Sequence, residues 1–323
     1  MIRILPAAVI VALGAISPLS AQSIDTQQFE ILSHPGPVDN LTQATQLQFK
    51  GDRYNRMTVA VRVSGHGPYR FLVDTGADRT AISRELATAL NLQRADGATM
   101  HTVTGASQVT TATVPLLNIA AKQVRNVEAP LLEASNIGAD GILGLDSLHS
   151  QRILFDFKKD LLTIVPSSAN DGSLRDSIVV TGRIKNGRLI LAGAWANNRK
   201  LTVIVDTGAQ VSVGNAALRR MLLHPSKGTK PVELQSVTGD RIGGQYALVR
   251  EFDVGGVQLK DLPIVFADSR LFKQLGLENQ PALLLGMNAL RGFEKVSIDF
   301  ANRKLRVVLP EESSLDRTAF ASL

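Results

Sequence analysis

Residues 71–77 read Phe71-Leu72-Val73-Asp74-Thr75-Gly76-Ala77, and residues 203–209 read Val203-Ile204-Val205-Asp206-Thr207-Gly208-Ala209. Each is a short apolar run that ends in Asp-Thr-Gly-Ala. Runs this short, rich in Val, Ile, Leu and Phe, read as buried strands. A carboxylate at the end of a buried strand is costly to desolvate. A chain that builds this feature twice points to one shared task for the two acids.

The flanks of the two segments fall into register. The aspartates are 132 residues apart (206 − 74), and Met57–Val63 matches Leu189–Trp195 at the same offset. Both read as the first strand of a hairpin whose second strand carries the acid. Downstream, Thr102-Val103-Thr104-Gly105 matches Ser236-Val237-Thr238-Gly239 at offset 134 (239 − 105). Gly141-Ile142-Leu143-Gly144-Leu145 matches Leu283-Leu284-Leu285-Gly286-Met287 at offset 142 (286 − 144). Ile153–Phe157 matches Val296–Phe300 at offset 143 (299 − 156). The order never changes and the offset only grows, so the chain is an internal duplication whose second copy carries small loop insertions.

Each copy has one plan. The acid turn leads to a short helix, Arg84 to Leu90 with Ser83 as N-cap, and Ala216 to Leu223 with Asn215 as N-cap. Strands around a Val-Thr-Gly turn follow, then a Gly-bearing apolar strand, a second short helix and a closing hairpin. The expected fold class is all-β, in two tandem domains. The expected divisions are a signal peptide over 1–21, an irregular lead-in over 22–50, a first domain over 51–166, a linker over 167–180, a second domain over 181–310 and a tail over 311–323. Trp195 aligns with Val63 and is expected in the core.

Composition narrows the function classes. The 323 residues suffice for two domains with real cores, and 44% hydrophobic against 20% charged residues marks a globular chain. The absence of cysteine excludes disulfides, thiol catalysis, Cys-ligated metals and a lipoprotein anchor. Net charge is +6, but the basic residues are scattered and aromatics are only 5%. Without stacking aromatics among the cations, no nucleic-acid partner is expected. The five histidines form no His-Glu-x-x-His pair, so no metal is expected, and no Gly-x-Ser-x-Gly elbow is present. Arg3, the apolar run Ile4–Ile16 and the small residues Ser20 and Ala21 have the form of a secretory signal. A periplasmic or secreted protein with no stable membrane span is expected.

The chemistry follows from the symmetry. If the copies pack about a pseudo-twofold axis near the acids, the Asp74 and Asp206 carboxyls meet and share a proton. Such a pair can take a proton from water and give one to a carbonyl oxygen. Thr75 and Thr207 can bond across the axis. Gly76 and Gly208 allow a tight turn and close approach of backbone N–H groups.

Val73-Asp74-Thr75-Gly76-Ala77-Asp78-Arg79-Thr80 resembles the active-site segment of retroviral-type aspartic proteases, the retropepsins. Asp140-Gly141-Ile142-Leu143-Gly144 resembles the Gly-bearing strand that threads behind the catalytic loop in pepsins and retropepsins. The resemblance covers roughly residues 55–166 and 187–310. It implies two acid-protease β-barrels, a catalytic dyad of Asp74 and Asp206 braced by Thr75 and Thr207, and substrate backbone bound by Gly76 and Gly208. It implies flaps over the cleft formed by Val103, Thr104 and Gly105 and by Val237, Thr238 and Gly239. It places Asp78 where the family holds substrate main chain, with Gln210 in the other half. No cofactor is implied, and the partner is a peptide or protein substrate. Both halves in one chain imply a monomer containing a pseudo-dimer. Ala77 and Ala209 stand where many acid-optimum relatives have a hydroxyl donor, which implies a dyad that keeps its proton to higher pH. Two rivals remain at this point. One is a module that grips extended peptides without cutting them. In the other, each half pairs with the same half of a second chain.

Overall fold

The computed structural model describes residues 45–48, 50–51, 57–119, 122–148, 151–167, 174, 176–223 and 229–310. The expected signal peptide, the tail and half of the linker lie outside these residues. Among the described residues no helix is long and apolar enough to cross a membrane.

The first copy runs β1 (Thr45–Gln48), β2 (Lys50–Gly51), β3 (Met57–Val63), β4 (His66–Val73), β5 (Ala81–Ser83), α1 (Arg84–Ala89), β6 (Arg94–His101), β7 (Ala106–Ile119), β8 (Lys122–Leu132), α2 (Ala134–Ile137), β9 (Gly141–Leu143), α3 (Leu145–Leu148), β10 (Gln151–Asp156) and β11 (Leu161–Pro166). The second runs β12 (Ile178–Lys185), β13 (Arg188–Ala196), β14 (Arg199–Val205), β15 (Ser212–Gly214), α4 (Ala216–Leu222), β16 (Lys230–Gln235), β17 (Arg241–Val254), β18 (Val257–Phe266), α5 (Arg270–Gln274), β19 (Ala282–Leu285), α6 (Met287–Leu290), β20 (Lys295–Asp299) and β21 (Lys304–Val308). The fold is all-β with short helices, in two sheets.

The copies repeat one strand order. In the first it is β2-β3-β4-β9-β5-β8-β7-β6, and in the second β12-β13-β14-β19-β15-β18-β17-β16. The acid-bearing β4 and β14 each lie parallel to a Gly strand, β9 or β19, which threads between them and the strand after the turn. These central strands are buried on both faces, which explains their unbroken apolar runs. Ser83 and Asn215 cap α1 and α4 by accepting from the N–H of Leu86 and Leu218.

Between the copies, β10 pairs antiparallel with β20, placing Ile153 opposite Ile298 and Phe155 opposite Val296. All four are fully buried. Directly opposed apolar pairs contribute about 0.2–1 kcal/mol each beyond alanine. This shared sheet ties the two closing hairpins together, and the main core runs through it without a break.

Three sequence expectations need correction. The lead-in, expected to be irregular, contains β1, which pairs with β11 along Thr45–Gln48. An uncovered strand edge leaves backbone groups without partners, and this segment supplies them. The linker expected over 167–180 gives way to β12 at Ile178, because β12 bridges β21 and β13. The insertions, by contrast, fall where the growing offset puts them, between the second Val-Thr-Gly and its Leu-Leu-Gly. The offset is 134 at the end of β8 and β18 (266 − 132) and 142 at the end of β9 and β19 (285 − 143). The longer segment carries α5, in the place α2 has in the first copy, and its Leu271 and Phe272 are buried in a cluster of the second copy. Finally, Trp195 is 44% exposed whereas Val63 is buried. The register of β13 against β14 shifts between Leu191 and Ala194. A bulge of one residue turns every later side chain to the opposite face.

Candidate active site

Asp74 follows β4 and Asp206 follows β14. The N–H of Asp74 donates to the Leu143 carbonyl at 3.0 Å and that of Asp206 to the Leu285 carbonyl at 3.1 Å. The parallel Gly strand therefore sets where each acid leaves its sheet. The turn then folds back on its own carboxylate. Gly76 N and Ala77 N donate to Asp74 Oδ1 at 2.8 and 3.0 Å, and Gly208 N and Ala209 N donate to Asp206 Oδ1 at 3.0 and 3.2 Å.

The threonines join the loops across the axis. Thr75 N donates to Thr207 Oγ1 at 3.0 Å, and Thr207 N donates to Thr75 Oγ1 at 3.1 Å. Each hydroxyl passes its own proton onward, Thr75 Oγ1 to the Val205 carbonyl at 3.2 Å and Thr207 Oγ1 to the Val73 carbonyl at 2.7 Å. Both threonines are buried, so every donor and acceptor here has to be matched within the protein.

This bracing brings the acids together. A methyl group on Gly76 would lie 2.5 Å from Asp206 Oδ1, and one on Gly208 would overlap the Asp74 carboxyl. Glycine at both positions is what permits the approach. The two carboxyls are near enough that Asp74 acts directly on the Asp206 carboxyl. Burial pushes the Asp206 carboxyl above the ordinary carboxylate range. It prevails over the Gly208 N–H, the Arg188 guanidinium, the Ala209 N–H and the Asp74 carboxyl, all of which favour the charged form.

Residues 59–150 match the family model described as "gag-polyprotein putative aspartyl protease", and residues 192–289 match the model described as "Aspartyl protease". The two matches fall one on each copy. The chain belongs to the retropepsin-like aspartyl proteases, in two tandem copies. Among curated proteins no relative matches it.

Outside the dyad the protease halves use one bracing scheme with different chemistry. In the first half the Thr80 N–H donates to Asp146 Oδ1 at 2.9 Å, its hydroxyl donates to the same oxygen at 2.7 Å, and it accepts from Gly144 N at 3.2 Å. In the second half Ser212 does the same with Asn288 Oδ1 at 2.8 Å and with Gly286 N at 3.1 Å. The sequence reading missed these pairs. The signal was present, since Asp146 and Asn288 stand two residues beyond the matched glycines.

Arg188 was also missed. It opens β13 in the second half, yet its buried guanidinium reaches the first half. Nη2 donates to the Gly76 carbonyl at 2.8 Å and Nη1 lies 3.0 Å from Asp78 Oδ1. Asp78 is therefore engaged by an arginine while its side chain stays 63% exposed. Gln210, in the matching position, is neutral, so the two half-sites differ in charge. Arg188→Met should keep the packing of the stem but lose the guanidinium's contacts with the Gly76 and Asn186 carbonyls and with Asp78. We expect a loss of about 1–2 kcal/mol, below the buried-pair range because Asp78 is resolvated. The melting temperature and denaturant midpoint check this, and no change in either would mean the bridge is idle.

The two Val-Thr-Gly segments lie at hairpin tips, between β6 and β7 and between β16 and β17. The tips cross. Val103 packs on a cluster of the second half that includes Ile190, Val213 and Leu284, and Val237 packs on a cluster of the first half that includes Leu72 and Ile137. Ala77 of the first acid turn packs on that same cluster.

Proposed function

We propose that this protein is an aspartic endopeptidase in which Asp74 and Asp206 work as one acid-base pair. The observation that carries this reading is reciprocal. Each carboxyl lies against the glycine of the opposite turn, so the two acids are neighbours across the axis. One ionised and one protonated carboxyl in contact can deprotonate a water held between them. The water oxygen attacks the scissile carbonyl carbon while the other carboxyl gives its proton to the carbonyl oxygen. A proton then passes to the amide nitrogen, the C–N bond breaks and the shared proton is restored.

The substrate is an extended peptide lying between the acid turns and the two hairpins, whose backbone can add strand-like hydrogen bonds. Asp78 on one side and Gln210 on the other give the cleft a direction. One chain supplies both halves, which supports an active monomer. Incubation with a mixed peptide library tests the reading. Cleavage by the native chain that disappears in both Asp74→Asn and Asp206→Asn is the expected result. Peptide retention without cleavage in all three would leave a binding module instead.

The pH dependence follows from the turns. Ala77 and Ala209 offer the carboxylates only backbone N–H donors. A serine or threonine hydroxyl there would add a donor that favours the charged form. Burial of Asp206 acts in the same upward direction as the missing hydroxyl. A raised value keeps the catalytic proton in place to higher pH, so the upper limb of the kcat/KM profile should lie above the roughly 4.7 of pepsin. Ala77→Ser should move it down. A profile confined below about pH 3 would overturn this reading of the dyad.

A further inference from the structure

The crossed hairpins are joined by a polar contact that the twofold repeat does not duplicate. Ser107 Oγ on β7 donates to Asp240 Oδ2 at 2.6 Å, across the gap between the hairpins. The same oxygen accepts from Thr238 Oγ1 of its own turn at 2.7 Å. At the offset of 134 that aligns the tips (239 − 105), Asp240 falls opposite Ala106 and Ser107 opposite Arg241. No second carboxylate–hydroxyl pair can form by symmetry. Each tip is stiffened internally, Thr102 Oγ1 against Thr104 Oγ1 at 2.9 Å and Ser236 Oγ against Thr238 Oγ1 at 2.7 Å. The tips therefore meet as two preformed turns rather than as loose loops. The second tip is also seated on the first half by Gln235 Nε2, which donates to Asn136 Oδ1 at 3.2 Å.

We propose that Ser107 and Asp240 form a latch between the flaps, with Asp240 as a positioning residue that holds both hairpins crossed above the cleft. Its role in turnover rests on the peptidase reading, whereas the latch itself is a property of the closed hairpins. An ionised acceptor strengthens the bond from a neutral hydroxyl, and the two hydroxyl bonds, Ser107 first, hold the Asp240 carboxyl below its usual range. The contact is solvent-exposed, so it can break and re-form as peptide enters. This asymmetric bond couples the hairpins, so opening one loosens a contact that holds the other.

The cysteine-free sequence allows a direct test on the full chain. Spin labels are placed at His101→Cys and Gly243→Cys, both exposed and one on each hairpin, and their separation is measured by pulsed electron resonance without peptide. In Ser107→Ala and in Asp240→Ala the longer-distance population should rise about two- to five-fold, as for an exposed charged bond. The double variant should rise no further than Asp240→Ala alone. Unchanged distances in either single variant, or effects that add, would overturn the latch. Because no catalysis is needed, the result is separable from whether the protein cleaves peptides.

Discussion

Asp206→Asn is expected to lower kcat/KM on the order of 10⁴-fold, the upper end of what a positioned acid-base group contributes. The amide matches the carboxylate in shape, and its oxygen can still accept from Gly208 N and Ala209 N. It cannot take up a proton, so water is no longer activated and no shared proton remains for the carbonyl oxygen. Asp74→Asn should lose activity to the same extent, because the two groups act as a unit. The same Asp206 substitution should raise the melting temperature at neutral pH. Burial holds the folded Asp206 carboxyl above its ordinary value. Below the unfolded value near 3.9 both states carry the proton, and the group contributes nothing. As pH rises from there to the raised folded value, the unfolded chain releases the proton while the folded chain keeps it. Stability therefore falls through that window and stays lower above it. Asparagine does not titrate, so the thermal gain should be present at pH 7 and vanish below about pH 4. Calorimetry at the two pH values, beside a chromatographic cleavage assay, reads both effects. Retained cleavage would end the dyad mechanism, and an equal thermal shift at both pH values would show that Asp206 is not held protonated.

Gly208→Ala should reduce kcat/KM by about 10²-fold or more while leaving a folded protein. The added methyl would overlap the Asp74 carboxyl, which belongs to the opposite half. The carboxyl has to move, and misplacement of about 1 Å at a reacting group costs on that scale. The loop itself stays braced through Thr75 and Thr207, so overpacking should cost about 1–3 kcal/mol rather than the fold. Gly76→Ala, which meets Asp206 in the same way, is the symmetric check. Near-native turnover by both alanine variants would mean that the acids need not touch.

Much of the fold was legible because it was written twice. A lone Asp-Thr-Gly is an ordinary turn, but two copies with matching Val-Thr-Gly tips and Gly strands reveal two β domains and the position of each acid. The caps of α1 and α4 were legible too, since Ser83 and Asn215 act on N–H groups three residues on. Register was harder. A bulge in β13 carried Trp195 to the surface, and nothing in the alternation of Leu189–Ala196 announces where the extra residue sits. The segment around α5 appeared only as a growing offset. Strand β1 was hidden because its partner edge on β11 exists only once the closing hairpin has folded.

The duplication, the strand pattern and the identity of the two acids belong to the sequence, because each depends on residues within a few positions of one another. Tertiary structure decided what those acids do to each other. The crossing of Thr75 and Thr207, the reach of Arg188 to Gly76 and Asp78, and the bond from Ser107 to Asp240 all join residues more than a hundred positions apart. Their distances depend on how the two halves are angled, and that angle is set by the pairing of β10 with β20 and by the burial of Ile153, Phe155, Val296 and Ile298 between them. Such packing is a property of two surfaces meeting, and no local pattern along the chain encodes it.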